Sequence, residues 1–209
     1  KIKYPGIRNT IRSDIDLVKG LVRVMPDQDI MVPALAEIEL RLMEETDYGR
    51  EARYMSFFRQ NLKLSQVHIP SPSKDFCCEN ILSADFIKGP DLNQWLKSAP
   101  SQKDRDRVAK TINDIFLKGF YGLNCIHADP HPGNFIIGAD LSVGLVDFGC
   151  VKEFDPLFAD RYQRLIKALI LGDRDQYFKI VQDLDFIRPG LPQGVKEKIF
   201  QTAMGFGQW

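Results

Sequence analysis

The sequence predicts an α+β fold in which helix outweighs strand. Three observations carry this: long stretches with apolar residues at helical spacing, short proline-punctuated apolar runs in residues 64–87, and two further short runs joined by Gly138-Ala139-Asp140-Leu141. In chain order, residues 1–4 read as the tail of a strand closed by Pro5-Gly6, a strong turn pair. Residues 9–25 set Ile11, Ile15, Leu17, Val18, Leu21 and Val22 at helical positions, with a break at Pro26-Asp27. From Val32, the spacing of Leu35, Ile38, Leu40, Leu42 and Met43 begins a second, longer helix expected to run to about Phe57. Strands are expected at 67–69 and 81–87, ended by Gly89-Pro90. Residues 103–124 carry Val108, Ile112, Ile115, Phe116, Phe120 and Leu123 along one helical face. Residues 135–137 and 143–146 read as a β-hairpin, and Asp155-Pro156 opens a helical remainder in which Gly172 separates two helices.

Composition narrows the function classes. The 209 residues are 44% hydrophobic and 27% charged, ordinary for a globular chain long enough to bury a core. Lys and Arg number 28 against 28 Asp and Glu, so no overall charge draws the chain to nucleic acid, and no nucleic-acid partner is expected. Cys77, Cys78, Cys125 and Cys150 match neither a zinc spacing nor a compact disulfide framework, which points to a reducing compartment. No apolar run reaches the ~18 residues of a membrane span, and no signal peptide opens the sequence.

The chemistry concentrates in residues 127–134, His-Ala-Asp-Pro-His-Pro-Gly-Asn, and in Asp147-Phe148-Gly149. Phosphoryl transfer needs a carboxylate to orient the attacking hydroxyl and oxygen ligands for magnesium, whose charge offsets that of the transferring phosphate. Asp129 and Asn134 have the Asp-x-x-x-x-Asn spacing of a kinase catalytic loop, set between an amphipathic helix and a hairpin. Asp147 follows the second hairpin strand, where a principal magnesium ligand is required. Taken singly, Asp-Phe-Gly is also a turn ending a strand, and residues 129–133 are also a rigid turn-rich loop. His127-x-Asp129-x-His131 with Asp147 is, alternatively, a transition-metal hydrolytic site, though His68 is the only other histidine and Asn134 is then left without a role.

Upstream, Glu44, Glu45, Asp47 and Glu51 crowd one helix, with Arg50 and Arg53 as partial compensation. Such a run is ordinarily a solvated face. A kinase site also requires a strand lysine paired with a helix glutamate, and Lys1 and Glu51 supply that pair.

Together these residues resemble the UbiB/AarF family of atypical kinases, the ADCK group of animals. Residues 1–6 are similar to its lysine strand with the Pro-Gly exit, residues 45–52 to its Glu-x-Asp motif and Arg-Glu-Ala segment, and residues 127–135 to its catalytic loop. The resemblance runs from Lys1 to about Leu184. It implies a protein-kinase-like fold, with a partial small N-lobe over 1–88 and a mostly helical C-lobe with the catalytic β-hairpin over 89–209. It implies Asp129, His127, Glu45 and Asp47 in the catalytic chemistry, and Asn134 and Asp147 as ligands of Mg2+. Lys1, Glu51 and the hinge residues Asp85 and Ile87 would hold ATP, although Asp85-Phe86-Ile87 also reads as a strand end before a turn. ATPase or small-molecule kinase activity is implied over protein phosphorylation. The service would be ubiquinone or other prenyl-lipid biosynthesis, with pathway proteins as partners and peripheral membrane contact through segments outside this chain. The location would be cytoplasmic, or membrane-associated on the reducing side of a bacterial, mitochondrial or plastid membrane.

Departures from ordinary protein kinases agree with that. Ala128 stands where a phosphate-reading arginine would be, and the chain reaches the helix start at Asp155 within six residues of Gly149. The family's nucleotide loop and Lys-x-Gly-Gln motif have no counterpart after Lys1, so the expectation is a domain cut at its N-terminus, weak or inactive alone. The alternatives are a soluble kinase resembling choline or aminoglycoside phosphotransferases, and a pseudokinase scaffold.

Overall fold

The computed structural model describes residues 1–23, 25–26, 28–188 and 190–206, so Asp27 of the expected Pro26-Asp27 break lies outside the described residues. The chain forms two compact units, Lys1–Gly119 with Ile126–Lys152, and Phe120–Cys125 with the chain from Glu153 onward.

In the first unit, residues 1–3 are extended against 80–82. The Lys1 backbone nitrogen donates to the Leu82 carbonyl at 2.7 Å, and the Leu82 and Lys3 amides donate to Lys1 and Asn80 at 2.9 Å. The Pro5-Gly6 turn follows, with Gly6 at φ 75° as the N-cap of α1 (Ile7–Val22). α2 (Gln28–Glu45) packs along α1, tied by the Lys19–Glu39 ion pair. The single long helix expected from Val32 to Phe57 is in fact two, because α2 ends at Glu45 and α3 (Tyr48–Asn61) begins after Thr46-Asp47. The break has a local cause. Thr46 Oγ1 turns back to the Met43 carbonyl at 2.7 Å, and Asp47 accepts the Arg50 amide at 2.9 Å as the α3 N-cap.

β1 (Val67–His68) is as expected, but 81–87 is not a continuous strand. It makes isolated bridges only, at Ile81 and Ala84, because Pro70 and Pro72 on the facing segment have no N–H to extend a ladder. A short helix absent from the sequence expectation, α4 (Leu92–Lys97), is capped by Asp91, which accepts the Gln94 amide. α5 (Gln102–Leu123) leads into β2 (Cys125–His127). The hairpin is present as β3 (Phe135–Ile137) and β4 (Val143–Leu145), antiparallel in the register Ile136↔Gly144, with β1 parallel on the far side of β4. β2 pairs with β5 (Val151–Glu153), two three-residue strands too short for periodicity to show. Because residues 67–68 and 143–144 share this sheet, the expected lobe boundary at 88/89 falls inside the first unit.

Bare backbone lets the sheet accept its neighbours. A Cβ on Gly144 would lie 2.8 Å from Ile87 Cγ2, and one on Gly89, at φ +152°, would meet the Ile137 carbonyl oxygen. Gly144→Ala should therefore destabilise the fold by about 1–3 kcal/mol through overpacking. Denaturant unfolding checks this, and Ile87→Ala combined with it should cost less than the two single changes summed.

The second unit is helical. Asp155 caps α6 (Pro156–Ile170), accepting the Leu157 and Phe158 amides at 2.8 and 3.2 Å, and Gly172 at φ 68° turns the chain into α7 (Arg174–Asp183). With α8 (Gln193–Phe206) these bury a core of Leu165, Ala168, Tyr177, Phe178, Ile180, Val181 and Phe200. Among the described residues no helix is long and apolar enough to cross a membrane, and no two cysteines form a disulfide.

Candidate active site

The site lies wholly in the first unit. A polar cavity of about 250 Å³ is walled by Lys1, Glu45, Tyr48, Asp129, Asp147, Gly149 and Cys150. Lys1 Nζ bridges two carboxylates, Glu51 Oε1 and Asp147 Oδ1, each at 2.8 Å. Glu51 is 2% exposed. Burial pushes its carboxyl up from the ordinary range, against Lys1 and the Phe148 amide, which hold it down. Burial pulls the Lys1 ammonium down, but hydrogen bonds and charge from Asp147 and Glu51 outweigh this and raise it. Burial would raise Asp147 as well, yet Lys1 wins and holds it below the usual carboxylate value.

Asp147 itself sits at φ +64°, a left-handed conformation rare for a residue with a side chain. Phe148 anchors the turn from inside. It is fully buried, its ring centroid 5.4 Å from that of Phe58 on α3 and 5.3 Å from the His127 ring. His127 Nε2 lies 2.6 Å from the Asp147 carbonyl oxygen and 3.1 Å from that of Val146, so it carries the proton and donates. The histidine thus holds the backbone of the turn, and its buried Nδ1 has no hydrogen-bond partner among the described residues.

The residues of the 129–134 loop form a second tight cluster. Asn134 Nδ2 donates to Asp129 Oδ2 at 2.8 Å, and the His131 amide donates to Asp129 Oδ1 at 3.2 Å. His131 Nδ1 accepts the Gly133 amide, closing a 3-10 turn over Pro132–Asn134. These bonds engage both histidines of the alternative transition-metal site in backbone contacts. Among the described residues no three His, Cys, Asp or Glu side chains form a group able to hold a metal ion.

The acidic segment resolves residue by residue. Glu45 faces the cavity, whereas Asp47 is spent on capping α3 and is not in the cavity wall. Glu51 reaches Lys1, and Glu44 reaches Arg41 and Arg50 at 2.9 and 3.2 Å. Asp85 is exposed, its carboxylate accepting the Ser71 amide at 3.1 Å, while Ile87 packs on Gly144; neither walls the cavity. Ile87 leaves its backbone N–H and C=O without a hydrogen bond among the described residues. Tyr48 and Cys150 join the wall without having been singled out in the sequence. Cys150 is pushed up by burial, and by Asp129, Glu44 and Glu45 against Arg41, so its thiol stays protonated.

A sequence model described as the ABC1 atypical kinase-like domain matches residues 1–181. The chain is 27% identical over 208 residues to "Atypical kinase COQ8B, mitochondrial" of Danio rerio, covering 97% of this chain and 32% of that protein. It is 24% identical over 213 residues to "Atypical kinase COQ8, mitochondrial" of Saccharomyces cerevisiae, covering 100% and 42%. It is 25% identical over 195 residues to "Protein ACTIVITY OF BC1 COMPLEX KINASE 7, chloroplastic" of Arabidopsis thaliana, covering 90% and 28%. The chain therefore spans about a third of the length of these curated relatives. A solved structure titled as the complex of Rv3197 with erythromycin, from Mycobacterium tuberculosis, superposes with a TM-score of 0.73 at 22% identity, over 92% of this chain and 49% of that one, a likeness of fold. The mixed fold, the lysine bridge and the family match over residues 1–181 together mean that the chain belongs to the ABC1 atypical kinase-like family, the UbiB/ADCK group.

Proposed function

We propose that this chain carries a Mg-ATP site and catalyses ATP hydrolysis or phosphoryl transfer to a small or lipid acceptor. The observation that carries the reading is Lys1 held between Glu51 and Asp147 on the wall of a cavity that Asp129 shares. An ammonium fixed this way is a pre-placed partner for nucleotide phosphates, and Asp147 and Asn134 offer the hard oxygen ligands that magnesium prefers. Among the described residues Asp129 makes no ion pair, yet it is fixed by two hydrogen bonds, as a group orienting a nucleophile must be. The open N–H and C=O of Ile87 suit the adenine edge. Magnesium would supply neutralisation of phosphate charge; the residues of this chain position it and the nucleotide.

The relatives are named as atypical kinases of mitochondria and a kinase of chloroplasts. With the UbiB/AarF resemblance they support the finer proposals: a role in ubiquinone or other prenyl-lipid biosynthesis, pathway proteins as partners, and a place on the reducing side at a membrane surface.

Thermal unfolding with ATP, with and without Mg2+, tests the reading. At about 100 times Kd, a bound ligand adds about 2.7 kcal/mol, a rise in Tm of several degrees. The rise should require Mg2+ and vanish in Asp147→Ala. No Mg-dependent rise for the wild-type protein, or an equal rise in Asp147→Ala, would overturn the assignment.

A further inference from the structure

We infer that Arg50 is the positioning residue that locks the Asp147-Phe148-Gly149 turn in its metal-ready form, a role that rests on the Mg-nucleotide reading. Its guanidinium donates through Nη1 to the Gly149 carbonyl at 3.1 Å and through Nη2 to the Val151 carbonyl at 3.0 Å. These two acceptors flank Cys150 and lie immediately beyond the strained Asp147 at φ +64°. A planar fork of fixed geometry holds both at once; a single ammonium cannot match that spacing.

The guanidinium is itself fixed. Glu44 Oε1 meets Nη2 at 3.2 Å, the Tyr54 ring lies 4.9 Å below the guanidinium carbon, and the side chain is only 17% exposed. Glu44 is braced in turn by Arg41, which also bonds Glu37, so an ion network runs along α2 into α3.

The next residue completes the arrangement. Glu51 grips Lys1, which grips the Asp147 carboxylate, so two consecutive residues of α3 both hold the turn. Arg50 takes its backbone and Glu51, through Lys1, takes its side chain. With five residues between Gly149 and Asp155, the chain has no long segment there whose modification could order the turn. Arg50 fulfils that ordering role permanently, from within α3.

Arg50→Ala and Arg50→Lys test this in the full chain. In Arg50→Ala, the Mg2+ concentration giving half of the ATP-dependent Tm rise should increase about tenfold, with the rise at saturating Mg2+ retained. Arg50→Lys should fall between it and wild type. In the nucleotide-free protein, amide exchange across residues 147–151 should quicken at least tenfold while β4 stays protected. A folded Arg50→Ala protein with wild-type Mg2+ dependence overturns the inference and leaves the Mg-nucleotide reading standing. A wild-type protein with no Mg-dependent rise overturns both. Should Arg50→Ala not fold, Glu44→Gln keeps the guanidinium but frees it on one side. It should raise the Mg2+ midpoint two- to threefold, and an unchanged midpoint there overturns the inference as well.

Discussion

Lys1→Met is expected to destabilise the protein by about 2–4 kcal/mol at neutral pH, less than the 3–5 kcal/mol of breaking a fully buried pair because Lys1 is 40% exposed. The cost comes from what remains. Glu51, 2% exposed, loses the ammonium that offsets its burial, and its carboxyl rises further above the ordinary 4.5. A carboxyl raised in the folded state binds a proton that the unfolded chain releases, so stability falls as pH climbs from 4.5 and levels off above the folded value. Asp147 works in the same direction. With Lys1 present its lowered pKa adds stability above 3.8 that is lost as pH falls, and the variant forfeits this. The raised Lys1 pKa adds stability that is complete below 10.5 and lost as pH climbs through the folded value. The penalty should therefore be small near pH 4, full across neutral pH, and smaller again in strong alkali. Urea unfolding of both proteins across this range measures it. Adding Glu51→Gln to Lys1→Met should recover at least half of the loss at pH 7, since the unpaired charge is gone. A penalty independent of pH, or no recovery in the double variant, would count against the ion pair as its source.

How much of this was legible in the sequence depended on the range over which each signal acts. That Asp129 and Asn134 meet, and that Asp147 follows a hairpin, could be read because both follow from fixed spacings and from a hairpin with its own turn signal. The Lys1–Glu51 pair was legible only through its residue types and order. The break at Thr46-Asp47 was missed because Leu42 and Met43 on one side and Met55 and Phe58 on the other continue an apolar pattern across it. A cap formed by Asp47 on the Arg50 amide leaves that pattern undisturbed. Arg50 read as charge compensation for an acidic run; its acceptors are carbonyls 99 and 101 residues away, which no local pattern encodes. β2 and β5 escaped because three residues are too few for a period of two to register. The 81–87 segment was over-read as a strand, since its apolar residues fit while the prolines that deny it a ladder lie on the opposite segment.

Asp129→Asn is expected to lower turnover by about 10²–10⁴-fold while leaving the Mg-dependent ATP shift in Tm nearly intact. Two of the three carboxylates of the cavity, Asp147 and Asp129, differ in what holds them. Asp147 is locked to Lys1 at 2.8 Å, a place for a charge that stays a charge. Asp129 has no ion pair among the described residues and faces the cavity with one oxygen on the Asn134 amide and the other on the His131 amide. Its carboxylate is oriented yet not neutralised, which is the condition for accepting a proton from an attacking hydroxyl. An asparagine at 129 can still accept one of those hydrogen bonds, so the loop should keep its shape within about 1 kcal/mol, but it lacks the charge the chemistry uses. Asp147→Asn should behave oppositely, losing the Mg-dependent shift together with turnover. Measuring phosphate release and Tm on the same two variants separates the roles. If Asp129→Asn abolishes the shift as thoroughly as Asp147→Asn, the carboxylates act as one metal-binding unit, and the division of labour drawn from their partners is wrong.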